Sequence, residues 1–497
     1  MTSVFGIMFI ILGNLAGNAV AFGIYFMIAL GKDPVNSSTN DYEKGPVIGL
    51  AITLLTVCCL LHVFSRRGGI LVNNIFAITK VGILLVITIL GFVHAAKKYL
   101  RSSGINEPPP VPQTNASAIV ANITSTMINN ATTLNFDKMT SFKSTGDFGS
   151  YVESFLFAIY PFTGFEQPFF VLSEVARPKT IFPKAAIASM LTTIVLYMLV
   201  NVSYFCVVPK ESYTETSQST IDMAGAFFHD IFDSTYGPRA GMRAMAALIA
   251  FSISGNILVL TFTAARVKQE IAKEGILPKS LFFATGYTTP WARFRNRSRN
   301  KPIADAEAVF DLDAHLEKTP IAAFALHWFS SIFLIVVTSM LRPATAYSFL
   351  VTLYSYVNVA VVGSLLGGGL LYLKIDSWLY KGRGRNWYSK VQWTPYLDPV
   401  PVIVYSSTMT FLVFAAFAKP GGTSPFSEKV TGYAWFLVPA IGISSLLWGV
   451  VWWFGFELAQ WKGRRTFQVL RTPYLEDRDH DGNYVQRAEL IEHEILY

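Results

Sequence analysis

The sequence has little charge and few cysteines, and each shortage excludes a class of protein. Only 14% of the 497 residues are charged, whereas 52% are hydrophobic and the mean hydropathy is +0.41. Soluble domains carry about 25% charged residues, so this composition indicates a membrane protein. The three cysteines, Cys58, Cys59 and Cys206, all lie in apolar runs and therefore predict no disulfide framework.

Patterns that carry catalysis or metal binding are also scarce. The seven histidines show no metal-ligand spacing. The run "DRDHDGNYVQRA" begins like a calcium loop at Asp477, but Ala488 stands where that loop needs a bidentate glutamate. We therefore predict no catalytic residue, no metal and no cofactor, and an integral-membrane enzyme is the weakest functional hypothesis.

Long apolar runs recur along the whole chain. A bilayer span needs about 18 to 25 apolar residues, and ten spans are predicted, at residues 4–30, 46–64, 71–94, 151–173, 185–208, 242–264, 321–341, 345–373, 399–418 and 432–456. The first run is too long for a signal peptide and has no basic region before it. The expected fold class is an all-α integral membrane bundle, with a transmembrane domain at 1–463 and a cytoplasmic tail at 464–497.

The distribution of basic residues predicts the orientation of these spans. If both chain ends are cytoplasmic and ten spans alternate, most of the 40 Lys and Arg lie in the inside segments, including a loop at 265–320. Cytoplasmic loops are the basic ones in membrane proteins. The run "RFRNRSRNK" at 293–301 fits this bias, so we predict no nucleic-acid partner.

Glycosylation sequons agree with that orientation. Asn115, Asn122 and Asn130 begin Asn-x-Ser/Thr triplets in the 95–150 loop, which the charge pattern places outside. We expect these three asparagines to be glycosylated. Asn296 also begins a triplet, but it lies in an inside loop and should stay unmodified.

The stretch "IYPFTGFEQPFF", residues 159–170, interrupts a predicted span. Pro161 and Gly164 should break the helix within 160–165, and helix geometry should resume before Ser173. Transporters use such breaks to offer helix ends to a substrate, because helix N-termini attract carboxylates and freed carbonyls attract ammonium groups. An amino acid carries both charges. A simple kink in a packed span is the structural alternative, which the membrane-embedded carboxylate of Glu166 disfavours.

Several stretches together resemble the amino acid–polyamine–organocation transporters. Residues 157–187 are similar to the sixth helix of that family, and "SGNILVLTFTAARVKQEIAKEGILP" at 254–278 is similar to the eighth. Residues 16–31 resemble the third helix and 73–92 the fifth. Within the family, the resemblance is to the fungal L-type amino acid and methionine permease branch.

The resemblance implies a LeuT-like inverted-repeat transporter bundle. Members have twelve helices, and the ten predicted spans would correspond to helices three to twelve. The first helix of the family carries a glycine-rich segment that holds the substrate carboxylate, and the present chain has no counterpart of it. The expectation is therefore a truncated chain that transports poorly or not at all.

The resemblance implies a role for each residue of the broken stretch. Tyr160 matches the substrate gate of the family, Thr163 and Gly164 would present backbone groups to the substrate ammonium, and Phe165 would flank the side-chain pocket. Glu166 occupies a position that is acidic in some members and an amide in others. All five are expected to bind substrate.

Polar residues elsewhere complete the predicted site. Lys80 lies in mid-span and needs a partner or a water path, and by resemblance it stands where sodium-coupled relatives hold their ion; snorkelling to the inner surface is the alternative. Ser252 and Asn256 would add polar groups to the cavity, although such residues also favour close helix packing. Asn18 is open to the same two interpretations.

The function implied is a proton-coupled permease for neutral L-amino acids in the plasma membrane, with methionine favoured by the branch. Its partners would be the amino acid, protons and the lipid bilayer. Animal L-type relatives join a heavy chain through a cysteine, and the matching segment 31–45 has none, so no disulfide-linked partner is expected. A non-transporting sensor or assembly partner on the same fold is the alternative.

Overall fold

The computed structural model describes most of the chain, at residues 2–32, 44–102, 148–174, 178–208, 222–236, 239–298, 318–379, 400–421, 432–463, 466–476 and 485–496. Helices dominate these residues. They are α1 (Thr2–Leu12), α2 (Ala16–Ala29), α3 (Lys44–Phe64), α4 (Arg66–Ser102), α5 (Phe148–Ile159), α6 (Pro178–Val207), α7 (Asp222–Tyr236), α8 (Ala240–Lys273), α9 (Ser280–Ala284), α10 (Pro290–Ser298), α11 (Ile321–Thr338), α12 (Pro343–Tyr354), α13 (Val362–Leu379), α14 (Val400–Ala415) and α15 (Leu437–Gly463).

The predicted membrane-spanning character is confirmed. Within the described residues, eight helical stretches are long and apolar enough to cross a bilayer, and α14 is a shorter apolar helix. They correspond to nine of the ten predicted spans. The remaining predicted span, 151–173, is the interrupted one, in which α5 gives way to two 3₁₀ turns.

The first predicted span, 4–30, also divides into two helices. The chain leaves helical geometry between α1 and α2, and the side chain of Asn14 replaces lost backbone bonds. Its Nδ2 donates to the carbonyl of Ile11 at 2.9 Å, and its Oδ1 accepts from the backbone N–H of Ala16 at 3.1 Å. Because Asn14 is only 3% exposed, these bonds satisfy a buried turn that water cannot reach.

Helix α8 is the element on which the candidate site is built. It packs against α2, α3, α4, α7 and α11, and also against the 3₁₀ turn that follows the broken segment. Helix α2 in turn packs on α3 and α12. Residues from α2, α3, α8, α12 and α14 share the largest apolar core. Helix α8 is therefore packed against several neighbouring helices.

Helix α8 is longer than its predicted span, 242–264. It continues to Lys273, nine residues into the segment predicted as a loop. Lys268 is fully buried there and donates hydrogen bonds to Ser330 Oγ at 2.8 Å and to His327 Nδ1 at 3.2 Å. Sequence analysis did not single out Lys268, whose hydrogen-bond partners lie on α11.

The C-terminal tail contains structure that the all-helical prediction omits. Strands β3 (Thr466–Glu476) and β4 (Val485–Leu496) form an antiparallel pair, and β1 (Tyr287–Thr288) pairs with β2 (Lys318–Thr319). Arg471 of β3 lies 2.5 Å from the carboxylate of Glu274, just beyond the end of α8. The hairpin therefore contacts the membrane domain at the cytoplasmic end assigned to α8.

Candidate functional site

The broken segment, residues 160–166, lies between the end of α5 at Ile159 and a second 3₁₀ helix that begins at Gln167. A single 3₁₀ turn covers Tyr160–Phe162, Thr163 is extended with φ −64° and ψ 148°, and Gly164 has φ +102°. A second 3₁₀ helix then runs over Gln167–Glu174. The prediction that helix geometry fails within 160–165 and resumes before Ser173 is confirmed, with 3₁₀ rather than α geometry after the break.

Two prolines and one glycine explain why the chain breaks here. Pro161 has no N–H and cannot continue the bonding of α5. The positive φ of Gly164 lies in a region that other residues adopt only with strain. Pro168 likewise lacks the N–H that would donate to the carbonyl of Phe165 in a 3₁₀ helix.

The break leaves polar backbone groups open. Among the described residues, the carbonyl oxygens of Thr163 and Phe165 have no hydrogen-bond donor, whereas the neighbouring carbonyl of Gly164 accepts from Gln167 N at 3.1 Å. Unpaired carbonyls at membrane depth are tolerated only where they line a cavity or meet a partner. These two oxygens are therefore able to bind a cationic group such as an ammonium.

The carboxylate of Glu166 turns back onto the break. Its Oε2 accepts from the backbone N–H of Gly164 at 3.0 Å, and its Oε1 accepts from Gln167 Nε2 at 3.1 Å. Both oxygens are thus engaged within the segment. Glu166 also interacts electrostatically with the hydroxyls of Tyr354 and Tyr405.

Tyr160, which was predicted to be the gate, reaches across to α2. Its hydroxyl donates to Asn18 Oδ1 at 2.5 Å, and Asn18 is 8% exposed. The carbonyl of Tyr160 accepts from both the backbone N–H of Thr163 at 3.0 Å and its Oγ1 at 2.7 Å. The structure therefore brings Tyr160, Thr163 and Asn18 together, and it leaves the ring of Phe165 40% exposed beside them.

A contact that sequence analysis missed ties the other end of the break to α8. Thr263 Oγ1 donates to Gln167 Oε1 at 2.5 Å. Both side chains are buried, at 5% and 8% exposure. The available signal was spacing, since Thr263 follows the predicted site residue Asn256 by two helical turns.

Lys80 finds its partner on α8. Its Nζ donates to Asn256 Oδ1 at 2.5 Å, so the amine has a partner in the bundle, one of the two solutions that its mid-span position was expected to require. Gly255 permits this approach, because a Cβ added there would lie 2.9 Å from the ring of Phe76 and 3.0 Å from Lys80 Cε. The small residue brings α4 and α8 close together.

The Lys80–Asn256 contact and the Gln167–Thr263 contact lie on one face of α8. Residues seven apart in an α-helix lie on the same side, about 10 Å apart along the axis, and Asn256 and Thr263 have this spacing. Ser252, one turn before Asn256, lies on the same face and is half-buried.

The predicted glycosylation sites Asn115, Asn122 and Asn130 lie outside the described residues.

Comparison with known proteins gives two kinds of match. A protein-family model described as amino acid permease matches residues 1–446. The high-affinity methionine permease of Saccharomyces cerevisiae is 24% identical over 422 residues, which cover 84% of this chain and 58% of the relative. The low-affinity methionine permease of the same yeast is 23% identical over 284 residues, or 57% of this chain and 44% of the relative. The chain thus spans less than two thirds of the length of either relative.

Proposed function

Because the chain belongs to the amino acid permease family, as the match over residues 1–446 shows, we propose that it binds a neutral L-amino acid at the broken segment and carries it across a membrane with protons. It is a multi-pass membrane protein, and the relatives it matches are permeases rather than enzymes. The proposed location is the plasma membrane.

The single observation that carries this proposal is the pair of open carbonyls at the break. Thr163 and Phe165 leave carbonyl oxygens without donors in the described part of the chain. A substrate ammonium would satisfy them. The carboxyl group of Glu166 folds onto the same turn, and the hydroxyl of Tyr160 is bonded to Asn18.

The side chain of the substrate is inferred from what surrounds the turn. Phe165 is exposed and Tyr405 half-buried, and both offer aromatic surface, which suits a large apolar side chain. Two relatives are methionine permeases by name, so methionine is the first substrate to test.

Lys80 is the proposed proton-coupling group. Its amine is bonded to Asn256, on the α8 face that also contacts the broken segment through Thr263. A displacement of α8 at Asn256 would also displace Thr263, because both residues belong to one rigid helix. Proton exchange at Lys80 would thereby be linked to substrate binding at the broken segment, across the rise of about 10 Å that separates Asn256 from Thr263 along α8.

Purified 497-residue chain in proteoliposomes gives the test. We expect an imposed inward proton gradient to drive uptake of labelled methionine, unlabelled large neutral amino acids to compete, and a protonophore to abolish accumulation. Binding with little or no flux would instead favour the sensor alternative, or the expectation from the sequence that this chain transports poorly or not at all. Absence of both binding and flux would contradict the proposal.

A further inference from the structure

The broken segment is connected to α8 by an uninterrupted chain of hydrogen bonds. Thr263 Oγ1 donates to Gln167 Oε1, Gln167 Nε2 donates to Glu166 Oε1, and Glu166 Oε2 accepts from Gly164 N. The backbone N–H of Gln167 also donates to the carbonyl of Gly164. This series of hydrogen bonds therefore runs from α8 to Gly164, the residue with positive φ.

From this geometry we propose that Gln167 and Thr263 are positioning residues, which hold the open turn of the broken segment in its binding conformation by orienting the Glu166 carboxylate. The inference rests on the proposed function, because it names what shapes the substrate site. Neither residue needs to touch the substrate.

The chemistry of the amide allows only one arrangement. A glutamine side chain has one acceptor oxygen and one donor nitrogen. Glu166 Oε1 accepts from Gln167 Nε2 at 3.1 Å, which fixes the amide with its nitrogen toward Glu166. The oxygen Oε1 then needs a donor, and Thr263 Oγ1 supplies it at 2.5 Å.

Burial makes the loss of this donor consequential. Gln167 is 8% and Thr263 5% exposed, so water cannot easily replace the missing bond. A buried acceptor without a donor is costly. The amide of Gln167 would rotate toward another donor. Glu166 Oε1 would then lose its hydrogen bond from Gln167 Nε2, which orients the carboxyl group toward the N–H of Gly164.

Thr263→Val tests the proposal, since valine keeps the shape and removes the hydroxyl. Hydrogen–deuterium exchange is measured on the purified full chain without ligand, in peptides covering residues 160–170. We expect exchange at the Gly164 and Gln167 amides to become about tenfold faster, as the loss of one well-placed bond would produce. Thr263→Ser retains the hydroxyl and should exchange like the original chain.

Thr261→Val is the matched control. Thr261 lies on the same helix and is 1% exposed, and its hydroxyl has no hydrogen-bond partner within the described residues. Its substitution should leave exchange at 160–170 unchanged. Peptides from α11 report whether any variant has loosened the whole bundle.

Labelled methionine binding separates this inference from the proposed function. Thr263→Val should weaken binding about tenfold, while Thr263→Ser and Thr261→Val should not. Exchange in Thr263→Val equal to that in Thr261→Val would overturn the positioning role, and so would faster exchange with unchanged affinity. If the original chain binds no methionine, the proposed function fails, and the exchange comparison alone still decides whether Thr263 anchors the turn.

Discussion

At the scale of single residues, the site depends on a few polar contacts between helices that are otherwise apolar. Lys80 pairs with Asn256, Tyr160 with Asn18, and Gln167 with Thr263. Each pair joins two different elements. Gln167 and Thr263 are buried, so water cannot easily replace the bond that either loses when its partner is removed, whereas Asn256 is exposed.

Substitution of Lys80 by methionine should uncouple transport from protons. Methionine keeps a long side chain but removes the amine, so Asn256 loses its partner and the proposed coupling group is gone. Proton-driven methionine uptake should fall by about tenfold or more, as expected for losing a hydrogen bond to a charged group. Uptake is measured with and without a protonophore.

Lys97→Met provides the control for Lys80→Met. Lys97 lies on the same helix, α4, and is exposed, so its loss should leave uptake unchanged. Equal, protonophore-sensitive uptake by Lys80→Met and Lys97→Met would rule out Lys80 as the coupling residue.

Gly255→Ala should separate α4 from α8. The added Cβ would meet the Phe76 ring at 2.9 Å and Lys80 Cε at 3.0 Å, so these side chains or their helix must shift. Overpacking of this kind costs about 1–3 kcal/mol, which should appear as a lower unfolding midpoint of the purified chain. At Gly82 of α4 an added Cβ meets nothing within 4 Å, so Gly82→Ala should not lower the midpoint. A Gly255→Ala midpoint matching that of Gly82→Ala would contradict the close contact.

At the scale of elements, the broken segment is the feature that the local sequence predicts best. Pro161 and Gly164 supply the break, and both act through their own backbone. The predicted gate, Tyr160, also lies in it. What the local sequence could not predict was the element opposite, since helical periodicity identifies a face but not the neighbour that covers it. Gln167 and Thr263 were missed for this reason.

Gly164→Ala should strain the break without crowding it. The nearest atom to an added Cβ is Gln167 Cγ at 3.8 Å, yet φ is +102°, so the penalty of about 1–3 kcal/mol would be conformational. We expect a lower unfolding midpoint and weaker methionine binding. Gly368 of α13 has open space and an ordinary helical φ, and Gly368→Ala should be neutral or stabilising. Unchanged binding and stability in Gly164→Ala would show that positive φ is not required.

At the scale of the whole molecule, hydropathy predicted the membrane class and nearly all the spans. Their boundaries were less predictable. The span of α8 was predicted to end at 264, before an inside loop at 265–320, whereas the partners His327 and Ser330 on α11 allow Lys268 to be buried within the helix. The paired strands β3 and β4 were missed because the charged tail carries no apolar alternation strong enough to indicate them.

Glycosylation tests the orientation assigned to the bundle. With the 95–150 loop outside, the expressed chain should lose mass on enzymatic deglycosylation. Replacing Asn115, Asn122 and Asn130 together by glutamine should abolish that shift. Asn296, which lies in α10, should carry no glycan because its loop is assigned to the cytoplasm. A glycan on Asn296 would show that the assigned orientation is wrong.

The central claim is that the break in residues 160–166 holds the amino acid, and an electron cryomicroscopy map of the full chain with methionine tests it most directly. We predict density for the ligand with its ammonium at the carbonyls of Thr163 and Phe165 and its side chain against the nearby aromatic rings. Ligand density elsewhere in the bundle, or a continuous α-helix through residues 157–172, would contradict the account.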